Sequence, residues 1–199
     1  MMISASVTRL HWNYFLALEH DLEKVARFIE FSKQNFGVYS IELAHLLFAA
    51  ASEVEVVAKQ LCEHIDSTAP QKNIVDYRNT LKLALPYIAT TQVFIPRFGL
   101  EFSPWLSWKE NATPDWWGSY NNVKHKRHLF FTEATLENVL NALGALLVLT
   151  YNYYAYALPA EKPPLAPMET MSKLEPQSSL LRLSEDHYYS QVVVGKSEW

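Results

Sequence analysis

Several kinds of site are excluded by what the chain has too little of. Of its 199 residues one is a cysteine, Cys62, so neither a disulfide framework nor a cysteine-based zinc site can form within the chain. Cys62 follows Leu61 in an apolar run, the setting of a buried thiol in a reducing compartment. Five glycines leave no room for a phosphate-cradling glycine loop, and no Gly-x-Ser-x-Gly elbow is present. Charge of neither sign dominates: 17 lysines and arginines face 21 acids, for a formal net charge of −4. Any attraction for nucleic acid must therefore come from a local patch. The start, Met1-Met-Ile-Ser-Ala-Ser-Val-Thr-Arg-Leu-His11, lacks a charged segment followed by an apolar core. It is read as carrying no signal peptide, with a cytoplasmic location expected.

Long uninterrupted hydrophobic runs are lacking too. The nearest is Val139 to Leu158, but Asn141 and Asn152 interrupt it and Tyr151, Tyr153, Tyr154 and Tyr156 fill its second half. About half of the ~20 apolar residues a bilayer requires remain. The segment is expected to be a central bundle helix, and no membrane partner is expected.

What is abundant is helix-forming apolar sequence. Hydrophobic residues make up 49% of the chain, enough for a sizeable core, and Leu and Ala outweigh Gly. The expected fold is all-α: an up-and-down bundle of four to five helices over residues 1–158, followed by a Pro-rich tail over 159–199. Leu10, Tyr14, Leu18, Leu22, Val25 and Ile29 predict a helix from Thr8 to about Gln34. Ser40 is placed to cap a second, running to about Ile65, and the short connection makes the two antiparallel. A shorter helix is predicted from Ile74 to Ile88, ended or kinked by Pro86. Residues 90–112 form an excursion on the bundle, where aromatic and β-branched residues around Pro96–Gly99 suggest two short strands. Thr113 and Pro114 open a helix to about Leu129, with Pro114 at the first helical position. A last helix begins at Thr132 and runs to about Ala157. In the tail, which is expected to be a linker or to lie over the surface or a partner, His187 to Val194 reads as an edge strand for the excursion or for another chain.

The densest chemistry lies in Pro114–His128, which carries Trp116, Trp117, Tyr120, Asn121 and the run Lys124-His-Lys-Arg-His128. On a helix Asn121, Lys124, His125 and His128 share one face, with Trp117 a turn earlier and Arg127 on the neighbouring strip. Such a face suits an anion such as a phosphate, or a buried carboxylate. Glu53 is the candidate carboxylate, because Ala49, Ala50 and Val57 are its helical neighbours and a buried glutamate needs a partner. Lys124, His125 and Arg127 are the expected partners. Three readings fit: a polar tie between helices, a catalytic or ligand-binding site, or a solvated basic stretch. No metal and no cofactor is expected, since no carboxylate stands beside His125 and His128 and the other histidines are scattered.

Taken as a set, Val38-Tyr-Ser-Ile-Glu-Leu-Ala44, Ala51-Ser-Glu-Val-Glu55 with Lys59-Gln-Leu-Cys62, and Trp116-Trp117, Tyr120-Asn121, Lys124-His125 and Arg127 resemble the HEPN superfamily of helical domains, in an uncharacterised prokaryotic branch. The resemblance covers roughly residues 10–157. It implies a helical bundle that forms a homodimer. Many relatives are metal-independent ribonucleases of defence or toxin–antitoxin systems, and others are binding or scaffold modules. The family's ribonuclease motif places a histidine four to six residues after an arginine. Here Arg78 is followed at those positions by Lys82, Leu83 and Ala84, Arg127 by Phe131, Thr132 and Glu133, and His125 precedes Arg127. The function the resemblance implies is that of a module acting through self-association or a partner encoded nearby, with a basic face for RNA or nucleotide. The alternative is a ribonuclease using His125 and Arg127; Asn121, Lys124, His128, Trp117 and Glu53 are the expected binding residues.

Overall fold

A computed structural model describes residues 8–158 and 163–189. Over these residues the chain is an all-α bundle with a small β-hairpin. Five helices make the bundle: α1 (Leu10–Val25), α2 (Ile41–Ile65), α3 (Ile74–Ala84), α4 (Asp115–Phe130) and α5 (Leu136–Ala157). The hairpin strands β1 (Val93–Ile95) and β2 (Leu100–Phe102) lie between α3 and α4, and a short α6 (Pro167–Ser172) belongs to the tail.

α2 and α5 form the central pair, with α1 packed on both, α3 on α2, and α4 across α5 and α2. α5 is apolar on nearly all sides and accordingly buried on nearly all sides, from Ala142 through Tyr151 without a break. Among the described residues no helix is long and apolar enough to cross a membrane. The first-turn donors of α5 are satisfied from outside the helix. Leu136 N–H reaches Val38 O at 2.8 Å and Glu137 N–H reaches Phe36 O at 3.1 Å, so the α1–α2 connection caps the last helix. Cys62, at 0% exposure, sits in this core, and burial pushes its thiol up to about 12.

Helix boundaries follow local chemistry where a cap is present. Ser40 accepts from Leu43 N–H at 3.1 Å, and Asn73 accepts from Val75 and Asp76 N–H at 2.9 and 3.1 Å. α3 stops at Ala84 rather than Ile88 because Leu85 precedes Pro86 and takes φ −124°, ψ 73°, clear of the helical region that proline's ring denies its predecessor. α1 ends at Val25, well before Gln34, and begins at Leu10, two residues after Thr8, with Arg9 at its N-cap. Beyond it Phe31 is drawn into the core against Phe98 at the hairpin tip, ring centroids 4.8 Å apart. α5 is capped by Thr135, whose side chain accepts from Asn138 N–H, so Thr132 lies instead in a preceding 3-10 turn. Pro114 occupies the N-cap of α4, one position earlier than expected.

The hairpin pairs Val93 with Phe102, Phe94 with Glu101 and Ile95 with Leu100, and turns through Gly99 at φ 61°, a conformation glycine adopts without a Cβ penalty. Val93 and Ile95 are buried. Phe102 lies against α5 at Gly144, where an added Cβ would meet the ring edge at 2.6 Å.

The tail is not a loose linker over its described part. Met171, Leu174, Leu180, Leu181 and Leu183 are all buried in the main core. Glu19 of α1, 2% exposed, clasps the tail backbone: one carboxylate oxygen accepts from Leu180 and Leu181 N–H at 3.1 and 2.8 Å, the other from Ser179 N–H at 3.0 Å. Trp12 Nε1 donates to Pro176 O at 2.9 Å. Arg182 exchanges backbone hydrogen bonds with Phe94, so the tail does pair with the excursion, but through Arg182. His187, expected to begin an edge strand, instead ends a 3-10 turn (Glu185–His187), and the rest of that segment from 190 on lies outside the described residues.

Candidate functional site

The basic run of α4 faces the first turns of α2 across an open cleft of about 810 Å³. Lys124, His125, Arg127 and His128 line it from α4, and His45 with Ile41 and Ala44 line it from α2, with Phe131 at the end of α4. No carboxylate is among the lining side chains. All five ionisable groups are exposed, as the cost of burying cations without partners requires.

Two of the cations are held by aromatic rings. Lys124 Nζ donates to the Tyr120 hydroxyl at 3.0 Å, and this bond holds the ammonium above its ordinary pKa, so the group is cationic at neutral pH. The Arg127 guanidinium lies over the Phe48 ring, 4.9 Å from its centroid, a cation–π contact that limits its wandering. Tyr120 and Phe48 are in edge contact at 6.2 Å. Tyr120 is also the last member of a buried aromatic chain: Trp108 to Trp105 at 4.2 Å, Trp105 to Trp116 at 5.3 Å, Trp116 to Trp117 at 5.7 Å and Trp117 to Tyr120 at 5.5 Å. The tryptophans therefore anchor α4 and the excursion loop, and the cations hang from the far end of that anchor.

α4 is not one regular helix through this region. Lys126 departs to φ −139°, ψ 46°, so Arg127 and His128 belong to a last turn whose direction is set by the break rather than by helical progression. The break explains why spacing alone gives an incomplete picture of the face. Asn121 turns inward on its own helix, its amide donating to Trp117 O at 2.9 Å. Trp117 is buried at 8% exposure in the aromatic chain. Neither lines the cleft.

Glu53 is not tied to Lys124, His125 or Arg127. Its Oε1 lies 2.5 Å from Nδ1 of His11 on α1, and His11 Nε2 lies 3.1 Å from Gln60 Oε1. The hydrogen bond to Glu53 is the largest cause of a raised His11 pKa, opposed by burial and aided by Gln60. The polar tie expected of Glu53 thus joins α1 to α2, away from the basic cleft. The Tyr153 ring stands edge-on to His11 at 5.0 Å. His11 was passed over in the sequence because nothing local links it to residue 53; only the antiparallel packing of α1 on α2 brings them together.

His45 was missed for the same reason. It sits one turn after Ile41 with no acidic or basic run around it, and its role depends on where α4 lies. Arg78, whose Nη1 donates to Asn111 O, and Lys82, whose Nζ donates to Trp108 O at 2.6 Å and to Asn111 Oδ1 at 2.8 Å, pin the loop before α4. They are structural cations. Among the described residues no group of three or more His, Cys, Asp or Glu side chains is placed to hold a metal ion.

No protein-family model, curated protein or solved structure matches this chain.

Proposed function

We propose that the protein is a HEPN-like helical module that binds a phosphate-bearing partner, RNA foremost, in the cleft between α2 and α4, and that it acts through self-association or a protein encoded nearby. One observation carries this reading: Lys124, His125, Arg127, His128 and His45 converge on one cleft with no carboxylate among its lining side chains. A surface of scattered, paired charges would not do this; a site for phosphates would. Phe131 in the cleft wall, with Tyr39 edge-on to it at 5.6 Å, supplies aromatic surface on which an unpaired base stacks. Exposed Ile41 and Leu129, at 62% and 65%, add apolar area beside the cations for a protein partner or a second copy.

The ribonuclease alternative rests on His125 and Arg127 lining the same cleft. A general base must be oriented, and an arginine must meet the charge that develops on the phosphorane. Among the described residues no hydrogen bond orients the His125 ring, which favours binding over cleavage.

The test is fluorescence anisotropy of labelled single-stranded RNA with the full-length protein in EDTA, at two salt concentrations. Replacing both Lys124 and Arg127 with Gln is expected to weaken binding at least ~10-fold and to flatten the salt dependence. Binding unchanged by the double substitution would refute the site. RNA cleavage lost in His125→Ala would promote the ribonuclease alternative.

A further inference from the structure

A second cleft, independent of the basic one, lies on the outer face of the hairpin. Phe94 stands opposite Glu101 in the β1–β2 register. On its other side Phe94 exchanges both backbone hydrogen bonds with Arg182 of the tail, at 2.8 and 2.9 Å. Side chains alternate across a strand, and Val93 and Ile95 point into the core at 0% exposure. Glu101, Phe94 and Arg182 therefore form one row across the opposite face. The row reads carboxylate, phenyl ring, guanidinium, with its outer columns about 10 Å apart at the backbone.

A cleft of about 460 Å³ opens over this row, with Pro96 and Tyr188 as apolar walls and Glu185 beside them. That volume is within the ordinary range of small-molecule sites. Arg182 is half-buried and lies over the Tyr188 ring, 4.6 Å from its centroid. Among the described residues it takes part in no ion pair. Glu101 is exposed on the far side of Phe94 and is likewise unpaired among the described residues.

A guanidinium held over a ring, hydrogen-bonded to the Tyr189 and Tyr188 side chains but to no carboxylate, has further N–H groups to donate to an external carboxylate. A lone anion would answer Arg182 but leave Glu101 and Glu185 facing it. A purely apolar ligand would desolvate the guanidinium without replacing its hydrogen bonds. Opposite charges separated by an apolar floor select a ligand carrying both. We propose that this cleft binds a small zwitterion of the dipeptide class with a hydrophobic side chain, its carboxylate on Arg182, its ammonium at Glu101 and its side chain over Phe94. Two extended residues span about 7 Å, and the reach of the Arg182 and Glu101 side chains covers the remainder.

The experiment is isothermal titration of the full-length protein with the dipeptides Leu-Phe, Val-Leu and Phe-Phe, each with free termini, N-acetylated, or C-amidated. The free forms are expected to bind saturably with Kd below ~1 mM. Blocking either terminus is expected to weaken binding at least ~10-fold. Arg182→Gln and Glu101→Gln are expected to do the same to the free peptides, with folding of each variant checked by circular dichroism. Glu101 is exposed, so Glu101→Gln remains a usable variant even if Arg182→Gln unfolds. The proposal is overturned by the absence of saturable heat with every free peptide, by equal binding of a blocked form, or by full binding to a folded Glu101→Gln protein.

Discussion

Glu19→Ala tests how the tail is held to the bundle. The carboxylate accepts from three consecutive backbone N–H groups, those of Ser179, Leu180 and Leu181, at 2.8 to 3.1 Å. Leu180 and Leu181 are 2% and 0% exposed, so removing the acceptor leaves donors that water reaches poorly. A hydrogen bond to a charged group contributes about 1.5–3 kcal/mol, and an orphaned buried donor costs a similar amount. Against this stands the desolvation of the carboxylate, which the alanine variant no longer bears. The net cost is expected at about 3–5 kcal/mol, two to three such hydrogen bonds less the desolvation recovered. It is bounded by the free energy of docking the tail, because the chain can release residues 175–189 instead of exposing the whole core. For a domain of this size that corresponds to a fall in Tm of roughly 6–20 °C. Limited proteolysis should read the release directly, as new cleavage within 175–189 while the bundle fragment persists. Glu19→Gln keeps one acceptor oxygen but turns an NH₂ toward a backbone donor, so its loss should fall between wild type and alanine. A Glu19→Ala protein that melts within ~2 °C of wild type and resists cleavage would refute the reasoning.

Two further outcomes follow from packing and charge. The His11 pKa is raised chiefly by the hydrogen bond its ring donates to Glu53, so folding favours the imidazolium; the contribution is complete below about pH 6.5, where the unfolded histidine is also protonated, and is lost as pH rises through the folded value. Urea denaturation across that window should show stability declining with pH, and Glu53→Gln should flatten the decline; a wild-type profile already flat there would sink the assignment. At Gly144 the Phe102 ring edge is 2.6 Å from where a Cβ would sit. Gly144→Ala should therefore cost about 1–3 kcal/mol through overpacking, yet in a Phe102→Ala background the same change should stabilise by up to ~1 kcal/mol through helix propensity; additive effects in denaturant titrations would show that the contact is not tight.

The readable parts of the fold were those written in local chemistry. Ser40 and Asn73 cap helices because their side chains reach N–H groups two or three residues on. Pro86 ends α3 through its own ring, and the aromatic run around Gly99 makes a hairpin because only that residue needs a positive φ there. Where the sequence misled, a distant contact intervened. α1 stops short where Phe31 meets Phe98. The tail looks like a linker by its prolines, yet its leucines are buried because Glu19 and Trp12, some 160 residues earlier, supply the partners.

The candidate site divides along the same line. Lys124, His125, Arg127 and His128 stand out in the sequence because, with Lys126, they make five consecutive cationic or imidazole groups without local counter-ions, and burying them would cost too much. That such a stretch must lie exposed is a matter of composition and needs no tertiary structure. That it faces His45 and Phe131, that Glu53 belongs to His11 instead, and that Trp117 anchors rather than contacts are matters of packing. α2 meets α1, α4 and α5 at once, and which of its side chains meets which neighbour depends on the relative rotation of helices far apart in sequence. Periodicity tells which face of a helix is buried, but only the assembled core decides what is buried against it.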